Sequence, residues 1–555
     1  MAVRKIAIIG GGISGLATAY ELIRKQTRRG QPAAGDLDVT VFERDPDWGG
    51  NAHTIPVKLG EIRGRPDLGK DGDPYIRWCD AGVNDMNLNA YDRVAAVMRD
   101  IGYHIEPRTL AAVPPSGDTR KGLYPLENTE CYFSMDGSVL ITDDADCTKG
   151  IVDPRHSLQT LEGGTLDALV KTLRAAGTYE VYGTYEDWKD REENLSLTVG
   201  AFFAKYIADP SGLEDAAKYV KVHDKIDWKS PRLPSLIERV RDQVYYPRIS
   251  AMYFADELGP EDMLLAAPIH YYCIQEGGVG TPDRRYFAGG SGTWIDALQD
   301  FLTRNGVHFR RGKDEGDARA TVSADGVTVR TAKGAERFDA CVFATHADHA
   351  AQALEFADPA LEASVRRILE GITYTNSVSV CHTFAGVLPA NRDAWRAYNV
   401  LVRNGAAVKA YSMTYVCNRH QNDTAWAPYD HAGLPQFFVT LNPQVPIPDD
   451  YILEEAAAAE VPDRVHALLP ARTRARLQAR AAANDSSPAR KAIYWFRHNL
   501  IDLRCFTAQR ALKQYHETAT QLFFCGGWSL GSGLHEECFA QAETVAQRLR
   551  FSLSN

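Results

Sequence analysis

Lys5-Ile6-Ala7-Ile8-Ile9 runs without a break into Gly10-Gly11-Gly12-Ile13-Ser14-Gly15, and a helical pattern over residues 16–25 follows. The apolar run has the continuous hydrophobicity of a strand covered on both faces, as in a parallel sheet. In the spacing Gly10-x-Gly12-x-x-Gly15, one glycine permits a tight turn, one lets a pyrophosphate approach the backbone, and one lets the helix pack closely on the strand. The helix N-terminus then faces phosphate charge. A second strand is expected over residues 38–42, and Glu43 closes it. A carboxylate there can accept hydrogen bonds from both hydroxyls of an adenosine ribose. The interval from Gly15 to Glu43 exceeds the usual ~20 residues, and a polar insert at residues 26–36 accounts for the excess.

Working outward, two further blocks have the same α/β character. One runs from Gly289-Gly290-Ser291-Gly292 through a helix at 294–305, strands at 306–309, 320–323 and 327–331, and a buried strand at 338–345. The other is a strand at 521–524, followed by Gly526-Gly527 and a helix at 536–550. Three separated blocks point to a nucleotide-binding domain built discontinuously from residues 1–99, 281–354 and 505–555. Residues 100–280 and 355–504 are left for a second, mixed sheet-and-helix domain. That segment includes strands at 377–383 and 437–441, an alanine-rich helical stretch at 454–483, and a linker at 484–488.

Composition narrows the class. The chain has 555 residues, 45% hydrophobic and 24% charged, which is globular and predicts several domains. A net charge of −10, with no basic patch, excludes nucleic acid as the expected partner. The ten cysteines stand singly, without a C-x-x-C pair or zinc spacing, so a reduced, cytoplasmic protein is expected. No apolar run reaches the ~20 residues of a membrane span; the longest, at 263–274, is broken by Pro268 and His270. No integral membrane segment is expected, and peripheral contact through Arg310-Arg311 or the arginine-rich helix at 472–480 is the minority reading against a solvated face. Nothing in the sequence indicates an oligomeric state.

The stretch after the second strand, Glu43-Arg44-Asp45-Pro46-Asp47-Trp48-Gly49-Gly50-Asn51, carries a second glycine pair. A nicotinamide-binding domain has no need for it. Gly10, Gly12, Ser14 and Gly15 with Glu43, Arg44, Gly49, Gly50 and Asn51 resemble the FAD signature of the flavin-containing amine oxidase and phytoene desaturase superfamily. The C-terminal block, Phe523-Phe524-Cys525-Gly526-Gly527-Trp528 and Gly533-Leu534-His535-Glu536-Glu537, resembles that family's closing strand, glycines and helix. The resemblance implies FAD as cofactor and a Rossmann-like FAD domain interleaved with an α+β substrate domain. It also places Leu534 and His535 near the isoalloxazine, with helix amides facing its N1–C2=O edge, and implies Gly526, Gly527 and Trp528 as further cofactor-binding residues. A narrower resemblance, through Ile372-Thr373-Tyr374-Thr375-Asn376, Leu388-Pro389-Ala390-Asn391-Arg392 and Val439-Thr440-Leu441-Asn442-Pro443, is to predicted bacterial FAD-binding oxidoreductases associated with cyclopropane fatty acid synthases. It implies lipid-like substrates by association alone.

The expected function is oxidation of a small or lipid-like organic substrate by hydride transfer to flavin N5, with His535 or Glu536 moving the accompanying proton. Tyr374 and Asn376 are the other catalytic candidates. Asn376 stands nearest to the position where amine oxidases commonly carry a lysine, and Leu534 replaces an aromatic residue. Both departures argue against ordinary amine oxidation. Gly527-Trp528 also stand where an acidic residue often follows. A flavin-dependent isomerase or desaturase acting on an unsaturated acyl chain is the second reading, and a non-enzymatic FAD-binding protein the third. Trp528 fits either a flavin contact or the core. His382 reads as a satisfied core residue. His346 and His349 lack a third ligand nearby in the sequence reading, so no metal is expected.

Overall fold

The computed structural model describes residues 3–27, 37–61, 74–107, 121–126, 128–142, 161–186, 188, 192–253, 259–275, 278, 282–402, 412–421, 436–456, 461, 469–482 and 491–554. The insert at 28–36, the linker at 484–488 and Cys147 lie outside them.

Strand β1 (Arg4–Ile9) is the middle of a five-stranded parallel sheet. On one side it pairs with β2 (Leu37–Glu43), which pairs in turn with His308–Arg311. On the other it pairs with Ala340–Phe343, which pairs with Leu522–Phe524. Ile6, Ala7 and Ile8 are fully buried, as the unbroken apolar run requires. All three α/β blocks read from the sequence thus contribute strands to this one sheet. Helix α1 (Ile13–Thr27) and the C-terminal helix His535–Ser554 pack together on one face of it. Gly10 turns with φ +113°, and a Cβ on Gly15 would lie 1.9 Å from the Gly10 carbonyl oxygen, so strand and helix meet at a separation only glycine permits.

The strand expected over 338–345 is two strands. Phe338 ends Gly334–Phe338, part of a separate four-stranded sheet, and Ala340–Phe343 belongs to the parallel one. Asp339 makes the break, since its carboxylate accepts from the Lys5 amide (2.7 Å) and from Arg4 (2.9 Å).

A seven-stranded sheet joins Glu130–Ser134 and Val139–Thr142 to Tyr398–Val402, Ser412–Val416, Phe438–Leu441, Tyr374–His382 and the edge strand Ile493–Asn499. A smaller four-stranded sheet pairs Asp85–Asn87, Arg284–Ala288, Gly122–Pro125 and His104–Ile105. This sheet straddles the domain boundaries drawn from the sequence near residues 99 and 281.

Beside the seven-stranded sheet, helices Leu161–Tyr182, Val199–Ala208 and Leu233–Val240 share a core around Leu169, Phe202 and Phe203. Thr198 caps the second of them by accepting from the Ala201 amide. A π-helical turn, Arg241–Tyr245, leads into Tyr246–Tyr253. Such a turn shifts the following side chains around the axis. The apolar stretch at 263–274 forms Ala266–Gln275, and among the described residues no helix is long and apolar enough to cross a membrane.

Within the helical stretch expected at 454–483, the described residues are helical over Ala471–Ala482, while Glu454 and Glu455 are extended and bridge Lys491 and Val57. The remainder, 457–460 and 462–468, lies outside the described residues. Nine cysteines are buried, and among the described residues no disulfide joins them.

Candidate active site

The end of β1, the N-terminus of α1 and the end of β2 open on a cavity of about 680 Å³. Gly10, Gly12 and Ser14 line it from the first turn, and Glu43 and Arg44 from the end of β2; Gly49, Gly50 and Asn51 line it from the second glycine turn. Gly15 does not; it packs behind the turn against Gly10.

The two turns are joined, because the Gly49 amide donates to the Gly11 carbonyl at 2.9 Å. Glu43 accepts from the Gly11 amide (2.6 Å) and the Asp45 amide (2.9 Å). Burial raises its carboxyl, and those two donors oppose the rise.

Arg472 was read as part of a solvated helix face, and that expectation is corrected. It is buried, and its guanidinium donates to the Ala52 carbonyl beneath the second glycine turn. A Cβ at Gly49 would lie 2.4 Å from Arg472 Nη1, and one at Gly292 2.6 Å from Nη2. Two glycines far apart in sequence make the slot, so helical periodicity had no signal for it. Arg476 in the same helix pairs with Asp47 (3.4 Å) and Glu455 (2.5 Å).

Gly527, Trp528, Leu534 and His535 line the cavity from the C-terminal block, with Gly526 behind them. Trp528 is both cavity wall and core: it is 1% exposed, packs against Phe524, and donates from Nε1 to the Thr345 carbonyl at 3.0 Å. His535 is buried at the N-terminus of the last helix, and among the described residues its Nδ1 has no hydrogen-bond partner. Burial lowers the imidazole to about 4, so it is neutral at pH 7.

Two catalytic candidates are not brought to this chamber. Glu536 points the other way, with its carboxylate accepting from the Arg93 and Val94 amides, all at 3.1 Å, and pairing with the Arg93 guanidinium at 3.3 Å. Those bonds cap helix Asp92–Ile101. Asn376 is exposed, because strand alternation turns it outward while Thr375 and Ser377 turn in.

Tyr374 lines the cavity, where its hydroxyl oxygen accepts from the Ala347 amide (2.7 Å) and its ring lies under the Arg497 guanidinium (4.6 Å). His382 is fully buried, bonded to Thr440 Oγ1 (2.7 Å) and the Phe384 amide (3.0 Å), a satisfied core residue as expected. The expectation that His346 and His349 lack a third ligand is corrected: Asp348 lies with them, their ligand atoms within 4.8 Å of one another. Arg497 holds the Asp348 carboxylate at 2.6 Å.

The far end of the cavity was not foreseen. Tyr91, Tyr253, Tyr271, Tyr398, Tyr415 and Tyr494 wall it, with Val400, Met413 and Leu441 between them. At its base Asp85 Oδ1 accepts from Arg284 (2.6 Å) and Gln275 (3.3 Å), while Oδ2 accepts from Tyr398 (3.0 Å) and lies 3.3 Å from His420 Nε2. Gln275 passes the arrangement on by accepting from the Tyr91 hydroxyl. Burial opposes ionisation of Asp85, yet Arg284 and His420 outweigh it and hold the carboxyl well below its ordinary value. Burial raises the phenols of Tyr91, Tyr398 and Tyr415, which stay neutral. The second acid of this end, Glu130, pairs with Arg248 at 3.2 Å, and the helix after the π turn delivers Arg248 and Tyr253 to the wall. These residues come from ten separate elements, with Tyr91 just ahead of helix Asp92–Ile101.

A parallel sheet whose strand ends hold two interlocked glycine turns, an acid at the end of β2, and a chamber roofed by a second sheet define a dinucleotide-dependent oxidoreductase. The sequence profile of flavin containing amine oxidoreductases matches residues 13–550, and the chain belongs to that family. It is therefore a flavin enzyme, with FAD as its cofactor.

The residues present fit that group: glycine backbone and a free helix N-terminus for pyrophosphate, a carboxylate for ribose, and a buried neutral His535 with an unpartnered nitrogen on the cavity wall. Among solved structures, the fold is similar to a CLA-producing fatty acid isomerase from P. acnes (TM-score 0.53, 14% identity, 98% of each chain). Cyclohexylamine oxidase from Brevibacterium oxydans also aligns (TM-score 0.49, 15% identity, 100% of each chain). No curated protein matches the sequence significantly.

Proposed function

We propose that the protein holds FAD extended along this cavity and oxidises a small or lipid-like, uncharged organic substrate by hydride transfer to flavin N5. The observation that carries the reading is a single chamber running from the glycine turns and Glu43 to the tyrosine wall, so cofactor and substrate share one space. Bound FAD supplies the two-electron acceptor.

The chain's own residues do the rest. Gly10, Gly12, Ser14, Gly49, Gly50 and Asn51 offer backbone and helix-terminal contacts to the pyrophosphate side, Glu43 the ribose contact, and Trp528, Leu534 and His535 the ring contacts. Segments 1–99, 281–354 and 505–555 form the FAD domain in this reading, and 100–280 with 355–504 the substrate domain. Both acids at the substrate end are already paired with arginines, so no uncompensated carboxylate is left to attract an ammonium group. Tyrosine rings and aliphatic side chains suit an apolar chain carrying few polar groups. The scattered, buried cysteines accord with a reducing, cytoplasmic setting.

The second reading, an isomerase or desaturase acting on an unsaturated acyl chain, is supported by the fold shared with the fatty acid isomerase and by the outward turn of Asn376 from the position where amine oxidation would call for a lysine. A non-enzymatic FAD carrier would have no use for the tyrosine-walled space. The test is anaerobic mixing of the FAD-loaded protein with a panel of unsaturated acyl compounds and a panel of amines. Flavin bleaching by acyl compounds alone supports oxidation or desaturation; double-bond migration without net bleaching selects the isomerase; bleaching by amines alone overturns the substrate assignment. A Glu43→Ala variant that keeps full FAD affinity overturns the ribose contact, whose loss is expected to weaken binding roughly tenfold or more.

A further inference from the structure

Behind the turn that carries Leu534 and His535 lies a carboxylate that the reading above does not use. Glu537 is 3% exposed and stands in the first turn of helix His535–Ser554. Its Oε2 accepts from the Leu534 amide (2.9 Å), the Ser532 amide (3.0 Å) and the Ser532 hydroxyl (3.3 Å). Its Oε1 is buried, with no hydrogen-bond partner among the described residues. The turn is shaped around it: Gly531 has φ +55°, and a Cβ there would sit 1.8 Å from Glu537 Oε1. Gly533, at φ +80°, could not carry a Cβ either, since one would meet the Gly527 carbonyl oxygen at 2.6 Å. Among the described residues no cationic side chain pairs with Glu537. Burial pushes its carboxyl up to about 7, against the pull of the turn amides.

A carboxylate that reaches back to the amide preceding its helix is a capping arrangement. It also places negative charge where the helix would otherwise present a bare positive end. We propose that Glu537 is a positioning residue for the flavin: it fixes the turn that sets Leu534 and His535 against the ring, and its charge offsets the helix field, so negative charge on the reduced ring is stabilised less than a bare helix N-terminus would stabilise it. The proposal rests on the assignment of FAD to this cavity. It accounts for an unpaired buried carboxylate next to a neutral His535, a combination that capping alone does not require. Glu536, the neighbouring acid, is spent on helix Asp92–Ile101 and serves as the control.

The test uses FAD-loaded protein and sulfite, whose addition to the oxidised ring leaves negative charge on it. At about pH 8.5, where a carboxyl near 7 is ionised, Glu537→Gln is expected to bind sulfite roughly tenfold more tightly than the parent. Its flavin midpoint potential should rise by the corresponding amount, and Glu536→Gln should change both less. A Glu537→Gln variant that retains FAD, with sulfite affinity and midpoint equal to the parent's, overturns the proposal and leaves Glu537 a helix cap only. If Glu537→Gln does not fold, Glu537→Asp decides: it keeps the charge but withdraws it from Ser532 and Leu534, so a changed visible circular dichroism of the bound flavin supports positioning and an unchanged spectrum overturns it. Failure of the FAD assignment itself looks different, since the parent protein would then show no flavin band after incubation with FAD.

Discussion

The two ends of the cavity are built on opposite plans. The dinucleotide end is made of backbone from short stretches: residues 9–14, 42–45 and 49–52 contribute turns and helix-terminal amides, held by bonds such as Gly49 to Gly11. The tyrosine-walled end is made of side chains from elements hundreds of residues apart, tied through one carboxylate, Asp85, to Arg284, Tyr398, His420 and Gln275. A backbone site depends on the absence of side chains, and a side-chain site on the satisfaction of every buried polar group. The first therefore fails when an atom is added, the second when one is removed.

The largest effect is expected from adding an atom to the first. Gly15→Ala would place a methyl group 1.9 Å from the Gly10 carbonyl oxygen, a backbone atom, with no rotamer to relieve it. The expected outcome is loss of bound flavin together with a lowered melting temperature, read from the visible spectrum and a thermal scan. A variant that retains stoichiometric FAD would break the claim that this end is set by close approach.

Removing a partner at the other end comes next. Arg284→Ala leaves the buried Asp85 carboxylate without its guanidinium partner, which should cost about 3–5 kcal/mol in denaturant unfolding. The substrate end should suffer more than the flavin band, because no residue of the first glycine turn touches this pair.

His535 gives a pH test between the two. Its folded-state value is depressed to about 4 by burial, so in the unfolded chain it gains a proton near pH 6.5 while the folded protein does not. Stability is therefore full above pH 6.5 and falls as the pH drops towards 4, by up to about 3 kcal/mol from this group. His535→Gln should flatten that part of the stability profile, and an unchanged slope would remove the assignment. The smallest effect is expected from Asn376→Ala, an exposed position: within ~0.5 kcal/mol in stability, with flavin bleaching by substrate unaltered.

The same contrast explains what could be read in advance. The glycine turns, Glu43 and the C-terminal block were legible because each is a local pattern with a backbone reason. Strand ends such as Phe338 against Ala340 were misjudged because Asp339 breaks the run through a contact with Lys5, more than three hundred residues earlier. Arg472 looked like solvated surface because nothing near it in the chain announces a slot framed by Gly49 and Gly292. Glu536 and Glu537 are adjacent acids on one helix, and only their neighbours separate them, one capping a different helix and the other shaping its own turn. The Asp85 hub left no trace in spacing at all.

By itself the sequence determined the parallel sheet, the flavin class and the glycine turns and acid that line one end of the cavity, since apolar runs, glycine spacing and a terminal acid act through the backbone next to them. Tertiary structure alone decided which candidates face the cavity, that Asp85 and Glu130 are both neutralised by arginines, and that Glu537 stands behind the turn carrying Leu534 and His535. Those outcomes depend on which distant side chains share a low-dielectric space, and burial and pairing are properties of the folded neighbourhood.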